Sequence, residues 1–345
     1  MRIAQSLALQ VPAVRRLRNA RDLLLRERDE ATTAQRDCEA ELAAVRSKHS
    51  PFFHYNARFD PLEIIRRHAA PNLVPRTGYL TNFLGVIIDP KFFPSILDNV
   101  AGQVEGLPIP ANWHADIAEW GAALRAVDLA RETFTVIELG CGWGCWLNNT
   151  GVAARRAGLD VRLIGVEGDR GHIRFAEEAT EANGFEPRQR TLHHGIAAAS
   201  SGLALFPRQE QSGVAWGLEP ILGATDEQRR EALKAGNFDE LPMLALAELM
   251  QPYPRIDLLH IDIQGGEADL IEGSLDPLRE KVAYLVIGTH SRQIEGQLFK
   301  RLLAQGWLLE IERPAVLDLH NPAAPVVVDG VQGWRNLALT ASDVA

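Results

Sequence analysis

The stretch "VIELGCGWGCW", Val136 to Trp146, runs from an apolar segment to an acid and then places glycine at every second position. The preceding "FTVIEL" has the β-branched and aromatic composition of a buried strand, and the following "CWLNNTGVAARRAG" reads as a helix. Gly140, Gly142 and Gly144 therefore make a G-x-G-x-G turn from strand to helix, which lets backbone approach a ligand at a helix N-terminus. The dinucleotide fingerprint G-x-G-x-x-G would need glycine where Cys145 stands. Glu138, at the strand's end, adds negative charge where phosphates would lie and suits a cationic ligand instead.

Outward from this turn, short β-branched runs alternate with helical stretches from Arg131 onward. "VRLIGVE", "RQRTLHHGIA", "RIDLLHIDI" and "VAYLVIGTH" are further strand candidates, with "GHIRFAEEATEAN" and "EADLIEGSLDPLREK" as helices between them. The pattern predicts an α/β, Rossmann-like fold: an open, mostly parallel sheet with helices on both faces. The tail, "GWLLEIERPAVLDL" then "PVVVDGVQGWRNLALT", predicts a C-terminal antiparallel hairpin. This domain spans residues 130–345. Residues 51–129, rich in proline and aromatics, read as a lead-in of short helices and loops whose aromatics could form a substrate lid. Residues 1–50 read as one long charged helix, with Leu17, Leu24, Ala31, Cys38 and Val45 at heptad spacing and Glu27 and Glu41 beside the seam. Such a helix needs a partner, and a second copy in a coiled coil is the simplest, so a homo-oligomer is expected.

The formal net charge of −9 over 345 residues argues against a nucleic-acid or anionic-membrane surface. No apolar run reaches the roughly 20 residues that a membrane helix needs. Three cysteines, two of them inside the glycine turn, fit a reducing cytoplasm better than a disulfide framework. Cys141 and Cys145 lack a second ligand pair at zinc-site spacing. His193 and His194 are adjacent, so in a strand they face opposite ways.

Sheets of this class bind ligands beyond the carboxyl ends of their strands. Glu167, ending "LIGVE", is placed to hold the two hydroxyls of a ribose. At this point the residues resemble a known group. "ELGCGWG" with "GVEGD" is similar to the first motif and acidic successor of class I S-adenosylmethionine-dependent methyltransferases. "IDLLHIDIQGGEADLIEG", "YLVIGTHS" and "DGVQGWRN" resemble the signature and later strands of the FkbM-type family, with His260 in place of the usual lysine and Gln264 in place of the usual glutamate. The resemblance covers about Arg131 to Leu339. It implies methyl transfer from S-adenosylmethionine to a hydroxyl oxygen on a sugar or secondary metabolite. It assigns Glu138, Gly140 and Gly142 to the methionine moiety, Glu167 to the ribose, and Gly195 and Ile196 to the adenine. It also turns Asp262 toward the reacting centre, with Glu267 beginning the helix behind it.

A sulfonium methyl is already activated, so the protein's contribution is alignment and removal of the acceptor's proton. His260, Asp262 and His290 lie in or at the ends of central strands. His290, at the end of "VIGT", is the preferred base, together with Asp262, while His260 reads as a buried, hydrogen-bonded residue. A divalent metal held by Asp262, His290 and Glu267 is a second way to activate the hydroxyl. Two other classes compete: an NAD-dependent oxidoreductase on a similar fold, opposed by Cys145 and Glu138, and a non-catalytic scaffold, opposed by the intact acids.

Overall fold

The computed structural model describes residues 50–340 except Ser212 and, of the earlier residues, only Arg21, Leu24, Leu25 and Arg28, each helical. The expected long helix, its heptad and the pairing built on it lie outside the described residues. The chain divides between Phe53 and His54 into two compact units, and the second carries the elements below.

Prolines and turns keep the lead-in elements short: β1 (Asn56–Ala57), α1 (Pro61–His68), β2 (Leu80–Thr81) and β3 (Ile87–Ile88). The run "IAEWGAALRAVDL" then forms α2 (Ile117–Leu129), capped by Asp116, whose carboxylate accepts from the Ala118 and Glu119 amides. Of its residues only Glu119, Arg125 and Asp128 escape full burial. A Cβ on Gly121 would stand 2.4 Å from Pro61 Cβ, so α1 packs directly on α2 there.

The alternating pattern follows as expected: β4 (Thr133–Leu139), α3 (Cys145–Arg156), β5 (Asp160–Glu167), α4 (Arg170–Ala182) and β6 (Arg190–His194). Then come β7 (Ile196–Ala198), β8 (Gly202–Pro207), α5 (Asp226–Ala235), β9 (Phe238–Ala245), α6 (Leu246–Met250), β10 (Leu258–Ile261), α7 (Glu267–Glu272) and α8 (Leu275–Lys281). The chain closes with β11 (Tyr284–Thr289), α9 (Arg292–Ala304), β12 (Trp307–Arg313), β13 (Val316–Leu317), β14 (Val326–Val328), β15 (Gly330–Asn336) and α10 (Leu337–Thr340).

The main sheet has the order β1-β12-β15-β11-β10-β4-β5-β6. Strands β6, β5, β4, β10 and β11 run parallel, and β15 inserts antiparallel between β11 and β12. The C-terminal hairpin is thus built into the sheet, with the small β13–β14 pair at its tip. The chain winds outward from β4 through β5 to β6 and, later, the other way from β10 to β11. The order therefore reverses between β4 and β10, the place where such sheets open a ligand crevice. Side chains alternate along β10: Leu259 and Ile261 join Leu270, Ile271, Leu298 and Leu302 in one core, whereas His260 meets Glu119 of α2. Helices accordingly cover both faces.

Two expectations need correction. "RQRTLHHGIA" is not one strand: the chain breaks at Gly195, whose amide bonds Glu167 O at 3.0 Å, and β7 enters a separate three-stranded sheet ordered β7-β9-β8. "EADLIEGSLDPLREK" is two helices, α7 and α8, parted at Gly273 and Ser274. A Cβ on Gly273 would stand 2.4 Å from Ala199 Cβ, so the close packing there leaves room for glycine alone.

The lead-in is tied to the sheet by buried charge. Asp116 pairs with Arg313 of β12, and Glu310 of β12 bonds both Arg125 of α2 (3.1 Å) and Arg335 of β15 (3.3 Å). Glu310→Ala would leave the buried Arg335 without its carboxylate, and we expect a loss of about 3 kcal/mol in urea unfolding, typical for breaking a buried pair from one side.

Candidate active site

The glycine turn requires backbone that other residues rarely adopt, with φ of 74° at Gly140 and 52° at Gly142. It also requires space. A Cβ on Gly140 would lie 2.0 Å from the Asp262 carbonyl oxygen, and one on Gly142 would lie 2.5 Å from the Trp216 ring. Gly144 is the N-cap of α3 and offers no side-chain acceptor. Glu138 does this from beneath: its two carboxylate oxygens accept from Trp146 N (3.1 Å) and Leu147 N (2.9 Å), amides that the helix itself leaves unpaired. Burial pushes the Glu138 carboxyl up to about 7, against the lowering effect of His260 and those two amides.

Glu167, at the end of β5, holds the turn from the other side, accepting from Gly142 N (2.9 Å) and Asp169 N (2.8 Å). Gly195 is pressed against backbone, since a Cβ there would stand 2.8 Å from Pro242 O, and Ile196 is buried at the start of β7.

These strand ends enclose a cavity of about 760 Å³. Of the residues expected at the site, Glu138, Gly140, Gly142, Glu167, Gly195, Ile196 and Asp262 line it, while Gly144, Glu267 and His290 do not. Sequence reasoning missed Phe93, His114 and Glu119 from the lead-in and Trp216 from the segment after β8. The Trp216 ring lies between Phe93 (centroids 4.8 Å apart) and His172 (4.0 Å), roofing the glycine turn. Glu119 left one signal in the sequence, as an acid one turn into a helix otherwise apolar on nearly every side. The cavity is strongly acidic: Glu119, Glu138, Glu167, Asp169, Glu219, Asp262 and Asp269 line it, and no Lys or Arg stands among the described residues that do.

Beside it, Asp262, Glu267 and His290 come together with ligand atoms within 4.8 Å of one another. His290 Nε2 is 3.2 Å from Asp262 Oδ1, and Nδ1 is 2.9 Å from Glu267 Oε1. Glu267 Oε1 also accepts from Ile263 N and Gly265 N, which fixes the loop after β10. Burial opposes charge on His290, but bonds to both carboxylates outweigh it and raise its pKa to about 10. The ring is therefore a cation at neutral pH with both nitrogens engaged. With both nitrogens so engaged, it has no lone pair facing an acceptor hydroxyl. Asp262 is held below the usual carboxylate range: burial works against this, and His290 more than compensates.

His260 is buried, with Nε2 3.0 Å from Glu119 Oε1. Burial pushes the Cys141 and Cys145 thiols well above their ordinary range, which suits packing rather than metal binding.

An open sheet whose order reverses beside a glycine turn, with an acid at the end of the next strand, is a doubly wound α/β domain with its ligand crevice at the switch point. No family model matches the chain. A protein of Jannaschia sp. (strain CCS1) named "Putative methyltransferase" is 46% identical over 272 residues, covering 79% of this chain and 97% of that protein. The chain belongs to the same family of methyltransferases. Among solved structures, the FkbM methyltransferase of Methylobacillus flagellatus KT is similar at a TM-score of 0.39 and 12% identity, over 63% of this chain and 54% of that one. The precorrin-6y C5,15-methyltransferase of Geobacter metallireducens GS-15 gives 0.35 and 9%, over 62% and 86%. Likenesses this distant do not bear on substrate. Among the described residues no helix is long and apolar enough to cross a membrane.

A histidine whose folded pKa is raised stabilises the fold fully below its unfolded value near 6.5, and that contribution is lost as pH rises through about 10. Stability should therefore fall between pH 6.5 and 10, and the fall should be smaller in His290→Gln, as measured by urea unfolding of both proteins at the two ends of the range.

Proposed function

We propose that the chain transfers a methyl group from S-adenosylmethionine to a hydroxyl of a neutral acceptor, such as a sugar or secondary metabolite, as an FkbM-type O-methyltransferase. One observation carries this reading: a cavity at the switch point that is rich in carboxylates and has no lining Lys or Arg among the described residues. A cofactor bearing a sulfonium and an ammonium group is favoured there, and a pyrophosphate is not. This speaks against NAD, as Cys145 in place of the fingerprint glycine already does. The volume, about 760 Å³, suits a nucleoside-sized ligand with room for part of an acceptor.

When bound, the cofactor supplies an activated methyl group, and the protein's residues supply position and charge. Glu167 keeps a free lone pair on each oxygen for ribose hydroxyls while holding the turn. Glu138 lies beneath the turn, where burial has pushed its carboxyl up to about 7 and a cation bound nearby would favour its ionised form. Gly195 and Ile196 bring backbone and an apolar side chain to the adenine end. Asp262 faces the transfer region, fixed by His290 and by Gln264 at 3.1 Å. Because His290 is bonded at both nitrogens to carboxylates, this reading gives it a positioning role in place of a base. The Phe93–Trp216–His172 stack and the lead-in wall are the elements closest to a lid.

Calorimetry should find micromolar binding of S-adenosylhomocysteine and little of NAD, and the opposite ranking would sink the reading. Glu167→Ala should weaken binding by about 1.5 to 3 kcal/mol, the range for hydrogen bonds to a charged group. An unchanged affinity would place the ribose elsewhere.

A further inference from the structure

The wall of the cavity formed by α2 and β10 holds two imidazoles that the cofactor reading leaves unused. His260 Nε2 is fixed by Glu119, but its Nδ1 is buried with no hydrogen-bond partner. His114, in the loop before α2, is half-buried as a residue, but its Nε2 is enclosed and unpartnered. Both rings lie 5.4 Å from the Trp146 ring, and both residues line the cavity. Leaving one buried polar nitrogen bare is costly, and leaving two in one wall points to a ligand that supplies the missing bonds.

We propose that this wall is the acceptor site and that His260, oriented by Glu119, accepts the proton of a neutral hydroxyl at Nδ1. The inference rests on the methyltransferase reading above and adds the residue that removes the proton. A hydroxyl matches the two nitrogens because it both donates and accepts: it gives its hydrogen to His260 Nδ1 and receives one from His114 Nε2. His114 is suited to the donor's part, because burial above all, with some repulsion from His260, lowers its pKa to about 3 and keeps the ring neutral. Carboxylate and phosphate acceptors are disfavoured, since Glu119 of α2, Glu138 of β4 and Asp262 after β10 line the same cavity; burial opposes charge on His260, and these acids outweigh it and raise its pKa, which makes it the stronger base. His260 shares one nitrogen with one carboxylate, whereas His290 shares both nitrogens with two. This difference leaves His260 with a lone pair to use.

In the transfer the acceptor's O–H bond breaks, its proton passing to Nδ1, and the oxygen's electron pair forms the new O–C bond to the methyl carbon. The C–S bond breaks with its pair remaining on sulfur. His260 becomes an imidazolium beside Glu119, which stabilises that charge as the third member of a relay does.

The experiment uses full-length protein labelled with ¹⁵N-histidine and saturated with sinefungin, an analogue that keeps a positive charge in place of the sulfonium but has no methyl to transfer. At pH 8 we expect His260 to hold a hydrogen on Nε2 only, with Nδ1 bare, and Glu119→Gln to abolish that tautomer preference. A His260 that stays doubly protonated, or holds its hydrogen on Nδ1, overturns the proposal. In parallel, turnover is followed with a panel of monosaccharides, methyl glycosides and inositol. With any acceptor that responds, His260→Gln should lower kcat by about 10² or more, as for loss of a general base, while S-adenosylhomocysteine affinity stays within threefold. A variant that keeps a third of the wild-type kcat overturns the proposal. Failure of unaltered protein to bind S-adenosylhomocysteine would instead remove the function on which the inference rests.

Discussion

A glycine and a carbonyl oxygen set the geometry of this molecule. The Asp262 carbonyl occupies the space in which a Cβ on Gly140 would lie, so the turn after β4 and the turn after β10 meet backbone to backbone. Every group of the site takes its place from that contact. It brings Glu138, His260 and Asp262 under one roof, and α2, pinned by the Asp116–Arg313 and Glu310 pairs, adds Glu119 to them. Carboxylates gathered in so small a space repel one another and lose water. The raised pKa values of Glu119 and Glu138, in both cases chiefly from burial, show where that tension is stored.

The sequence reveals local features well and distant encounters poorly. Alternate glycines after a β-branched run identify the β4 turn because the constraint is written into adjacent residues. The parallel sheet and the C-terminal hairpin follow from runs whose period is local, whereas the place of β15 between β11 and β12 depends on pairing with strands far off in sequence. Gly195 was legible as a site residue, but its role as a break was not, since the reason is a bond to Glu167 O and a close approach to Pro242, well away in sequence. Glu119, His114 and Trp216 were invisible for the same reason. Their chemistry exists only when α2 or the segment after β8 is laid against the strand ends. His260 was read as a buried, hydrogen-bonded residue and is one. What periodicity could not say is that its partner is an acid from another region and that its second nitrogen would be left bare.

His260 and His290 show how environment rather than residue type sets a role. Both lie at the same end of neighbouring parallel strands, and both touch carboxylates. His290 is clamped by two, so it is a fixed cation whose charge keeps Asp262 ionised and in place. His260 meets one acid, which orients its ring without occupying both edges. A histidine serves as a proton acceptor only with a lone pair that no other group has taken, whatever the direction of its pKa shift. On that criterion the proposed acceptor is the ring with one nitrogen bare and not the ring clamped on both.

The same charge balance bears on turnover in the proposed reaction. An acidic cavity with no Lys or Arg among the described residues that line it would hold a sulfonium more tightly than the neutral thioether left after transfer, because the interaction with Glu138, Glu119 and Asp262 loses its positive partner. The proton taken up by the protein restores one positive charge to the wall, next to Glu119, and not at the position the sulfur occupied. The carboxylates are thus satisfied from within while the spent cofactor has lost its hold. In the proposed reaction, an acid-lined site would therefore favour exchange of product for fresh donor through charge alone.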